Sequence, residues 1–279
     1  MNTYNMFLLD ALTNMHVGSG ETHYDIVDNK IQRNPVTNIP VIHSSGIKGA
    51  FREYCSGKKD INIDLLFGKE PKDTDDDKSS PGHLIIFEAN LIFIPLRSTE
   101  KAFYYCTSPY ALMDFFEYYS NFCKHKDEIS LIEKWLDKQS FSDNVPFVTF
   151  DGRTPEIEDY SSLGKGVDGA SVKKILAGLF KVNIEDIALF SDTFFTAICE
   201  DAIPVVTRNK IDDEGMSENL FYEEVLPRRS KLSFILGEEN GKLGDNYNKF
   251  VSSITGSEAS IQVGGNYSIG YGFSKITKL

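Results

Sequence analysis

The sequence predicts an α+β fold in which strands near both ends of the chain form one sheet and helices lie between them. Apolar runs typical of strands occupy residues 5–15 near the N-terminus and residues 230–236 and 261–276 near the C-terminus. Helical periodicity is concentrated in the middle of the 279-residue chain. Long polar stretches interrupt these elements, and such stretches are typical of loops that bind or catalyse.

The elements follow in order along the chain. The patterns predict strands at 5–15 and 83–96, helices at 44–56, 108–125, 127–138, about 169–180 and 184–201, and strands at 230–236 and within 261–276. We expect Ser44 or Ser45 to cap the first helix, because serine oxygens accept from the free N–H groups there. Residues 143–168 are polar and predict an insertion, whereas 203–227 predict two extended arms around a polar tip.

Composition excludes several classes of protein. The net charge of −12 disfavours a simple nucleic-acid binder, although residues 70–77 hold five acids and one lysine and account for −4 of it. This acidic stretch predicts a solvated loop. The four cysteines form no CxxC pair, and the five histidines show no ligand spacing, which indicates reduced thiols in a cytoplasmic protein and no zinc site. We find no signal peptide and no run long enough to cross a membrane.

The glycine-rich segment "IQVGGNYSIGYGFSKI" (261–276) is the most distinctive stretch. Its glycines, Gly264, Gly265, Gly270 and Gly272, are followed by "YGFSKI", which alternates like a strand. Dinucleotide and P-loop motifs require a helix after the glycines, so this segment belongs to neither. Spacing alone leaves two interpretations, a plain β-hairpin or a loop that offers N–H groups to phosphates.

Several blocks of the sequence together resemble one family. "GGNYSIGYGF" resembles the glycine-rich loop of the RAMP superfamily of CRISPR RNA-binding proteins. The other blocks resemble the backbone subunit of the type III-B (Cmr) effector complex, and they are "HVGSGETHYDIVDNKIQRN" with "IPVIHSSGIKGAFRE", "LIFIPLRSTEKAFYYCTSPYAL" and "TRNKIDDEGMSENLFYEEVLP". They lie in the family order and span nearly the whole chain. The acidic loop and residues 143–168 match no part of the pattern.

The resemblance implies a ferredoxin-like (RRM-like) core with a protruding β-hairpin, called the thumb, and inserted helices. It implies a single RAMP domain over 1–279, divided into a catalytic loop region (16–43), the acidic loop (70–80), a mainly helical insertion (97–200), the thumb hairpin (203–227) and the glycine-rich loop (261–276).

The resemblance also implies the partners. In this family, copies of the subunit stack along a guide RNA, and each thumb wedges into the duplex of guide and target RNA. The expected partners are therefore a CRISPR guide RNA, a complementary target RNA, further copies of the chain and other Cmr subunits, with no membrane. A chain this acidic would need a local basic groove to bind RNA.

The guide RNA is expected at the first predicted helix and the glycine-rich loop. Lys48 and Arg52 lie four residues apart on one face, and the helix N-terminus at Ser45 offers N–H groups to a phosphate. By itself this pattern is also typical of a solvated face. With the family fold, we expect a guide-backbone site to which Gly264, Gly265, Gly270 and Gly272 allow close approach. Tyr267 would stack on a base or pack within the protein.

In the thumb, Arg208 and Lys210 are expected to contact phosphates. Met216 lies near the predicted tip, where an apolar side chain can act as a wedge between bases. The alternative for Met216 is ordinary packing against a neighbouring side chain.

The family's catalytic aspartate lies just before an "IQR" block, and here that position is Asp28, with Asp25 as a rival. Without the resemblance, Asp28 would be read as capping a turn. Because an ordinary aspartate is a weak base at neutral pH, we expect it to hold a divalent ion, Mg²⁺ or Mn²⁺, or to position the 2′-OH of the RNA. The candidate helpers are His16, His23, Lys30 and Arg33.

The sequence thus predicts an endoribonuclease that acts within an assembled ribonucleoprotein. Three alternatives remain at this stage: a non-catalytic RNA-binding scaffold, the equivalent subunit of the type III-A complex, and an unrelated α+β enzyme that binds a small molecule at the glycine-rich loop. The last lacks a nucleotide motif and a pair of catalytic carboxylates.

Overall fold

The computed structural model describes residues 2–20, 27–69, 79–123, 127–164, 166–211 and 214–279. Its strands are β1 (Thr3–Ala11), β2 (Val41–Ile42), β3 (Gly68–Lys69), β4 (Ser80–Pro81), β5 (Leu84–Ile86), β6 (Ala89–Leu96), β7 (Tyr104–Thr107), β8 (Phe147–Thr149), β9 (Glu156–Ile157), β10 (Tyr160–Ser161), β11 (Ile187–Phe190), β12 (Val205–Ile211), β13 (Ser217–Glu224), β14 (Lys231–Glu238), β15 (Ile261–Gln262) and β16 (Phe273–Lys278). Its α-helices are α1 (Ser44–Cys55), α2 (Ile63–Phe67), α3 (Pro109–Cys123), α4 (Asp127–Leu136), α5 (Ala170–Phe180), α6 (Asp192–Asp201) and α7 (Asp245–Thr255).

One large mixed sheet organises the molecule, which confirms the predicted α+β class. Its strand order is β15-β16-β1-β14-β6-β7-β11-β8, with β2 beside β6 and β5 beside β14. Neighbouring strands are antiparallel except β7 and β11, which run parallel. The first and last long strands of the chain, β1 and β16, therefore lie side by side next to the β15 edge of this sheet.

Both faces of the sheet are buried under helices. Along β1, Phe7 and Leu9 join the apolar cluster that contains residues of α1 and α7, whereas Met6 and Leu8 join the cluster that contains residues of α3, α4 and α5. Successive side chains of a strand point to opposite faces, so a strand with two buried faces is apolar throughout. In the described part of the chain both faces of β1 are covered, which leaves loops and strand ends as places for a binding site.

Helix α1 occupies the position expected from the sequence. Ile47, Phe51 and Cys55 are fully buried at a spacing of four residues, which places them on one face. The predicted cap is wrong, because His43 occupies the N-cap position without a side-chain capping bond and Ser44 is already the first helical residue. Packing of the apolar face, rather than a serine cap, stabilises the start of this helix.

The predicted helix over 184–201 is wrong in its first half. Ile187–Phe190 form β11, and all four residues are buried in the sheet. Helix α6 begins only at Asp192, after Ser191 caps it by accepting a hydrogen bond from the Phe194 N–H at 3.3 Å. A short apolar run does not distinguish a buried strand from a helix by periodicity, which explains the error.

Other differences concern elements that sequence analysis missed. The stretch 143–168 is not simply an insertion, because its residues Phe147–Thr149 form β8 and pair with β11. Strand β7 and helix α7 were also missed. In α7, Tyr247, Phe250, Val251 and Ile254 are buried at helical spacing, so the signal for this helix was present in the sequence.

The predicted pair of extended arms is confirmed as a β-hairpin. Strands β12 and β13 pair with each other in a two-stranded sheet of their own, with an irregularity between Lys210 and Ile211. The four cysteines are free thiols, as expected. The predicted acidic loop at 70–77 lies outside the described residues. Within the described ranges, no helix is long and apolar enough to cross a membrane.

Candidate functional site

The segment that follows β1 runs alongside the root of the β12–β13 hairpin. Met15 exchanges backbone hydrogen bonds with Leu226 at 2.9 and 2.8 Å. The chain then turns back on itself, because the Ser19 N–H donates to the Lys30 carbonyl at 2.9 Å and the Gln32 N–H donates to the Val17 carbonyl at 2.8 Å. This arrangement holds two strand-like arms of the predicted catalytic loop region beside the hairpin. Asp25 and His23 lie outside the described residues.

Asp28 lies at the outer edge of this loop and is exposed. Its Oδ2 accepts a hydrogen bond of 2.8 Å from the backbone N–H of Tyr222 in β13. The next residue extends the junction, since the Asn29 N–H donates to the Tyr222 carbonyl at 3.1 Å and the Glu224 N–H donates to the Asn29 carbonyl at 2.9 Å. The carboxylate is thereby fixed to the hairpin at one oxygen, and no described residue hydrogen-bonds the other.

Glu223 connects the three segments that meet at the hairpin root. Only 4% of this residue is exposed. Its carboxylate accepts hydrogen bonds from Asn266 Nδ2 at 2.9 and 3.0 Å, and it lies 3.3 Å from Arg208 Nη1 and 3.5 Å from His16 Nε2. Asn266 belongs to the glycine-rich loop, Arg208 to the hairpin and His16 to the segment after β1. We call these four side chains the root cluster.

His16 is a structural member of this cluster. It is buried, and its Nδ1 lies 2.7 Å from the Glu224 carbonyl oxygen. A carbonyl oxygen only accepts, so Nδ1 is the donor. The His16 carbonyl in turn accepts from the Gly265 N–H at 2.9 Å. These bonds orient the imidazole toward the protein interior.

Arg33 is likewise engaged within the protein. Its guanidinium donates to the Asn38 carbonyl at 3.1 Å and the Cys199 carbonyl at 2.6 Å, and it lies 3.3 Å from a Glu224 oxygen. Burial raises the pKa of the Cys199 thiol to about 12, and the positive charge of Arg33 opposes this only in part. Lys30 and Arg33 line a cavity of about 510 Å³ next to the hairpin root.

The glycines of the C-terminal loop serve different purposes. Gly264 and Gly272 have φ of +89° and +79°, and a Cβ on either would overlap a backbone carbonyl oxygen, of His16 and Val263 respectively. These two glycines are required by the packing of the loop against the protein. Gly270 also has a positive φ, but a Cβ there would meet nothing within 4 Å. Beside it, Tyr267 is 67% exposed.

The residues of α1 that were predicted to bind RNA differ in exposure and in partners. Ser45 and Lys48 are exposed near the N-terminus of the helix, and no described residue forms an ion pair with Lys48. Arg52, one turn further, is half-buried and donates to the Gly68 carbonyl at 3.0 Å. The start of α1 therefore presents one free cation and a helix N-terminus, where anions are stabilised.

The hairpin carries Arg208 at its root and exposed apolar side chains further out. Arg208 extends over the ring of Phe221, with its Cζ 5.5 Å from the ring centroid. Met216 is 65% exposed beside the turn, and Leu220 is 52% exposed on β13. The side chain of Lys210 lies outside the described part of the structure. The described part of the hairpin thus combines a cationic group at the root with apolar groups further out, and both kinds of group contact nucleic acid in other proteins.

The carboxylate, imidazole and thiol groups near the hairpin root decide whether a metal ion can be held there. In the described ranges, no group of three or more His, Cys, Asp or Glu side chains is arranged to hold a metal ion. Among the described residues, Asp28 contributes a single carboxylate with one oxygen already bonded, which is a poor match for the six or more oxygen ligands that hard cations prefer. The described residues do not by themselves fit a resident divalent ion.

Sequence analysis missed Glu223, Glu224 and Asn266. The only local signal was the adjacent pair of acids at the end of a strand-like arm, directly before the apolar "VLP". Burial of a charged residue costs free energy unless the charge is paired. Two acids that continue an apolar pattern therefore indicate buried partners, and this signal was available in the sequence.

Comparisons with known proteins agree with this architecture. The model of the RAMP superfamily matches residues 8–275. The protein named CRISPR system Cmr endoribonuclease Cmr4, from Pyrococcus furiosus, is 29% identical over 295 aligned positions that cover 96% of this chain and 93% of the relative.

Two groups of solved structures share the fold. A chain of the type III-B Cmr-beta complex bound to cognate target RNA matches with a TM-score of 0.77 at 19% identity, over 99% of this chain and 96% of that chain. Oligomeric Cmr4 from Pyrococcus furiosus matches with a TM-score of 0.64 at 21% identity, over 100% of this chain and 98% of that chain. The resemblance to the Cmr backbone subunit is thereby confirmed, and the chain belongs to the RAMP superfamily.

Proposed function

We propose that the chain is a guide-RNA-binding backbone subunit of a type III-B CRISPR ribonucleoprotein in the cytoplasm, and that it cleaves complementary target RNA. The observation that carries the proposal is the exposed Asp28 carboxylate, fixed by the Tyr222 N–H at the root of a projecting hairpin. The relative named as a Cmr endoribonuclease and the fold shared with a chain of an RNA-bound Cmr complex support it.

We infer that four strands and two helices form the ferredoxin-like core. In chain order the elements are β1, α1, β6, β14, α7 and β16, and the strands lie in the order β16-β1-β14-β6 with antiparallel neighbours. This connectivity is that of the split βαβ arrangement. The β12–β13 hairpin is then the thumb, because it leaves the core immediately before β14 and forms no part of the large sheet.

The guide strand would run over the start of α1 and the glycine-rich loop. Lys48 supplies an unpaired cation, and the α1 N-terminus supplies N–H groups for a phosphate. Among the loop glycines, Gly265 and Gly270 leave room for close approach of RNA, whereas Gly264 and Gly272 build the loop itself. Tyr267 is exposed and contacts the ring of Phe273, and its open face would stack on a base. Ser45 and Arg52 would contact the guide strand on either side of Lys48.

The hairpin would act as a wedge in the duplex of guide and target. Met216 and Leu220 are exposed apolar groups that can replace stacking lost when a base pair opens. Arg208 and Lys210 would hold the neighbouring phosphates. Because Asp28 is bonded to the same hairpin, the nucleotide displaced by the wedge would arrive beside the carboxylate. Repeated copies along the guide would then cut the target at regular intervals.

The reaction uses the RNA's own nucleophile. The 2′-oxygen bonds to the adjacent phosphorus while the bond from phosphorus to the 5′-oxygen breaks, which leaves a 2′,3′-cyclic phosphate and a 5′-hydroxyl. The 2′-OH loses its proton, and the departing 5′-oxygen gains one. A regular A-form strand does not align these atoms, so displacement of the nucleotide supplies the in-line geometry. The unbonded oxygen of Asp28 would accept the 2′-OH hydrogen bond and orient the attack.

The remaining predicted helpers would act indirectly. His16 and Arg33 are engaged with Glu223 and Glu224, so they would position the hairpin root. Lys30 lies in the same loop and is half-buried. An Mg²⁺ or Mn²⁺ ion would arrive with the RNA phosphates, because the described donor set does not hold one.

The test is a cleavage assay on the assembled complex with an end-labelled complementary RNA. Wild type should give a regular ladder that Asp28→Ala abolishes while target binding is retained, and Asp25→Ala should leave the ladder intact. A single 2′-deoxy substitution in the target should remove only the adjacent cut. Tight binding without any ladder in wild type, with either Mg²⁺ or Mn²⁺, would indicate a non-catalytic scaffold and reject the nuclease role.

A further inference from the structure

An exposed cationic surface lies where the hairpin returns to the core sheet. Arg228 and Arg229 form the turn between β13 and β14, and Lys275 lies on β16; all three side chains are exposed. The turn is fixed by its backbone, since the Arg228 N–H donates to Asn14 Oδ1 at 3.0 Å and the Arg229 N–H donates to the Ala11 carbonyl at 2.6 Å. These bonds fix the backbone positions from which both arginine side chains extend.

The side chain of Arg229 is held in place by an aromatic pair. Its Cζ lies 5.1 Å from the centroid of the Phe103 ring, and Phe103 meets the Tyr105 ring edge-on at 5.1 Å. Arg229 also adopts a φ of +76°, which is strained for a residue with a side chain. The guanidinium also forms a hydrogen bond with the Tyr105 side chain, and its five N–H donors leave others for a planar or tetrahedral anion.

The positive charge of this surface is not neutralised locally. Asp10 is adjacent to both Lys231 and Lys275 in the sheet register, but its carboxylate is ion-paired with the buried Lys231. No described residue forms an ion pair with Arg228, Arg229 or Lys275. Unpaired cations grouped in this way stand out in a chain whose net charge is −12.

This surface is continuous with the glycine-rich loop through Asn14. The Asn14 side chain accepts from the Arg228 N–H, and its carbonyl accepts from the Gly272 N–H at 2.8 Å. Beyond Gly272, the ring of Phe273 lies 5.7 Å from that of the exposed Tyr267. A polymer bound at the glycine-rich loop would thus reach Arg228 without crossing the core.

We propose that Arg228, Arg229 and Lys275 form a second phosphate-binding surface for single-stranded RNA that continues from the glycine-rich loop. The proposal rests on the RNA-binding function proposed above and extends it to residues outside that site. Arginine forks match phosphate oxygens, and a cationic path next to aromatic rings is the usual way to hold a single strand without sequence preference. An acidic face of a second copy of the chain is the competing occupant, and the experiment distinguishes the two.

The test measures binding of a short, unstructured, fluorescently labelled RNA to the nucleic-acid-free full chain by anisotropy, over a range of salt concentrations. The variant is Arg228→Gln with Arg229→Gln. The matched control is Lys134→Gln with Lys138→Gln, which removes the same charge from exposed positions on α4 and directly after it. Thermal unfolding of each variant checks that the fold is kept, and sedimentation reports self-association.

Each phosphate contact contributes about 0.7 to the slope of log affinity against log salt for single strands, so two lost contacts should lower the slope by about 1.4. At about 0.15 M salt, this change in slope corresponds to RNA binding that is about 14-fold weaker. Phe103→Leu keeps all charges but frees Arg229, and should weaken binding about two- to fivefold. The α4 control should lower neither the slope nor the affinity to this extent.

The outcomes separate this inference from the proposed function. RNA binding by wild type with an unchanged slope in the Arg228/Arg229 variant overturns the second surface and leaves the function intact. If that variant self-associates less but binds RNA with unchanged affinity, the surface contacts a second copy of the chain, and the proposed second RNA-binding surface is also overturned. No RNA binding by wild type in low salt rejects both the RNA-binding function and the surface that depends on it.

Discussion

Replacement of Glu223 by glutamine should weaken the junction between the hairpin and the core. The change keeps the size of the side chain but removes a buried charge that faces Arg208 at 3.3 Å and His16 at 3.5 Å. It also places an amide donor where Asn266 donates two hydrogen bonds. Loss of one partner of a buried pair typically costs about 3–5 kcal/mol. Since the Arg208 side chain is 26% exposed, we expect a lower value of about 2–3 kcal/mol.

Calorimetry and denaturant unfolding measure this loss directly. For a chain of this size each kcal/mol lowers Tm by about 2–4 °C, so Glu223→Gln should lower Tm by about 4–12 °C. Glu218→Gln is the matched control, because Glu218 is exposed on the same strand and its loss should change the free energy of unfolding by no more than about 0.5 kcal/mol. Hydrogen exchange at the Tyr222 amide should also become faster, since that N–H is bonded to Asp28 across the same junction.

A Glu223→Gln variant whose free energy of unfolding stays within about 0.5 kcal/mol of wild type would refute the reasoning. It would show that the root cluster does not couple the segment after β1, the hairpin and the glycine-rich loop. The anchoring of Asp28 would then have to depend on the backbone hydrogen bonds alone.

Two further predictions concern stability. Burial raises the pKa of Asp114 to about 6, so its favourable contribution is present below its ordinary pKa of 3.8 and is lost as the pH rises through 6. Asp114→Asn should therefore raise the free energy of unfolding near neutral pH by about 1–2 kcal/mol, allowing for partial exposure, and should change it little below pH 4. Unfolding measured across that pH range checks this, and an equal gain at both pH values would contradict it. Gly270→Ala should cost about 1–2 kcal/mol from its positive φ alone, whereas Gly272→Ala should cost more because its Cβ overlaps the Val263 carbonyl; equal Tm values for the two variants would reject the packing role assigned to Gly272.

The sequence predicted elements whose signal is local. Strand β1 and helix α1 follow from uninterrupted apolar runs and from a four-residue spacing of buried side chains. Strand β11 was assigned to a helix because its four buried residues carry no periodicity that distinguishes the two structures. Helix α7 was missed although its buried residues recur at helical spacing, so this omission was avoidable.

The candidate site was predictable only in part. The position of Asp28 came from the resemblance to a family, since a single aspartate in a loop has no pattern of its own. The root cluster could not be predicted, because its contacts to Glu223 come from His16, Arg208 and Asn266, which belong to segments far apart in the sequence. No local rule brings such residues together; only the adjacency of β1, β14 and β16 in the sheet does so. Likewise, the roles of Gly264 and Gly272 depend on carbonyl groups that approach them only in the folded protein.

The account is tested most directly by the single-turnover rate at which the assembled complex cleaves a complementary RNA when every copy of the chain carries Asp28→Asn. Target affinity is measured in the same preparation. We predict a rate lower by about 100-fold or more, because misplacement of the reacting 2′-oxygen by about 1 Å already costs that much, with unchanged affinity. A rate close to that of wild type, or equal losses of rate and affinity, would contradict the assignment of Asp28 as the catalytic residue.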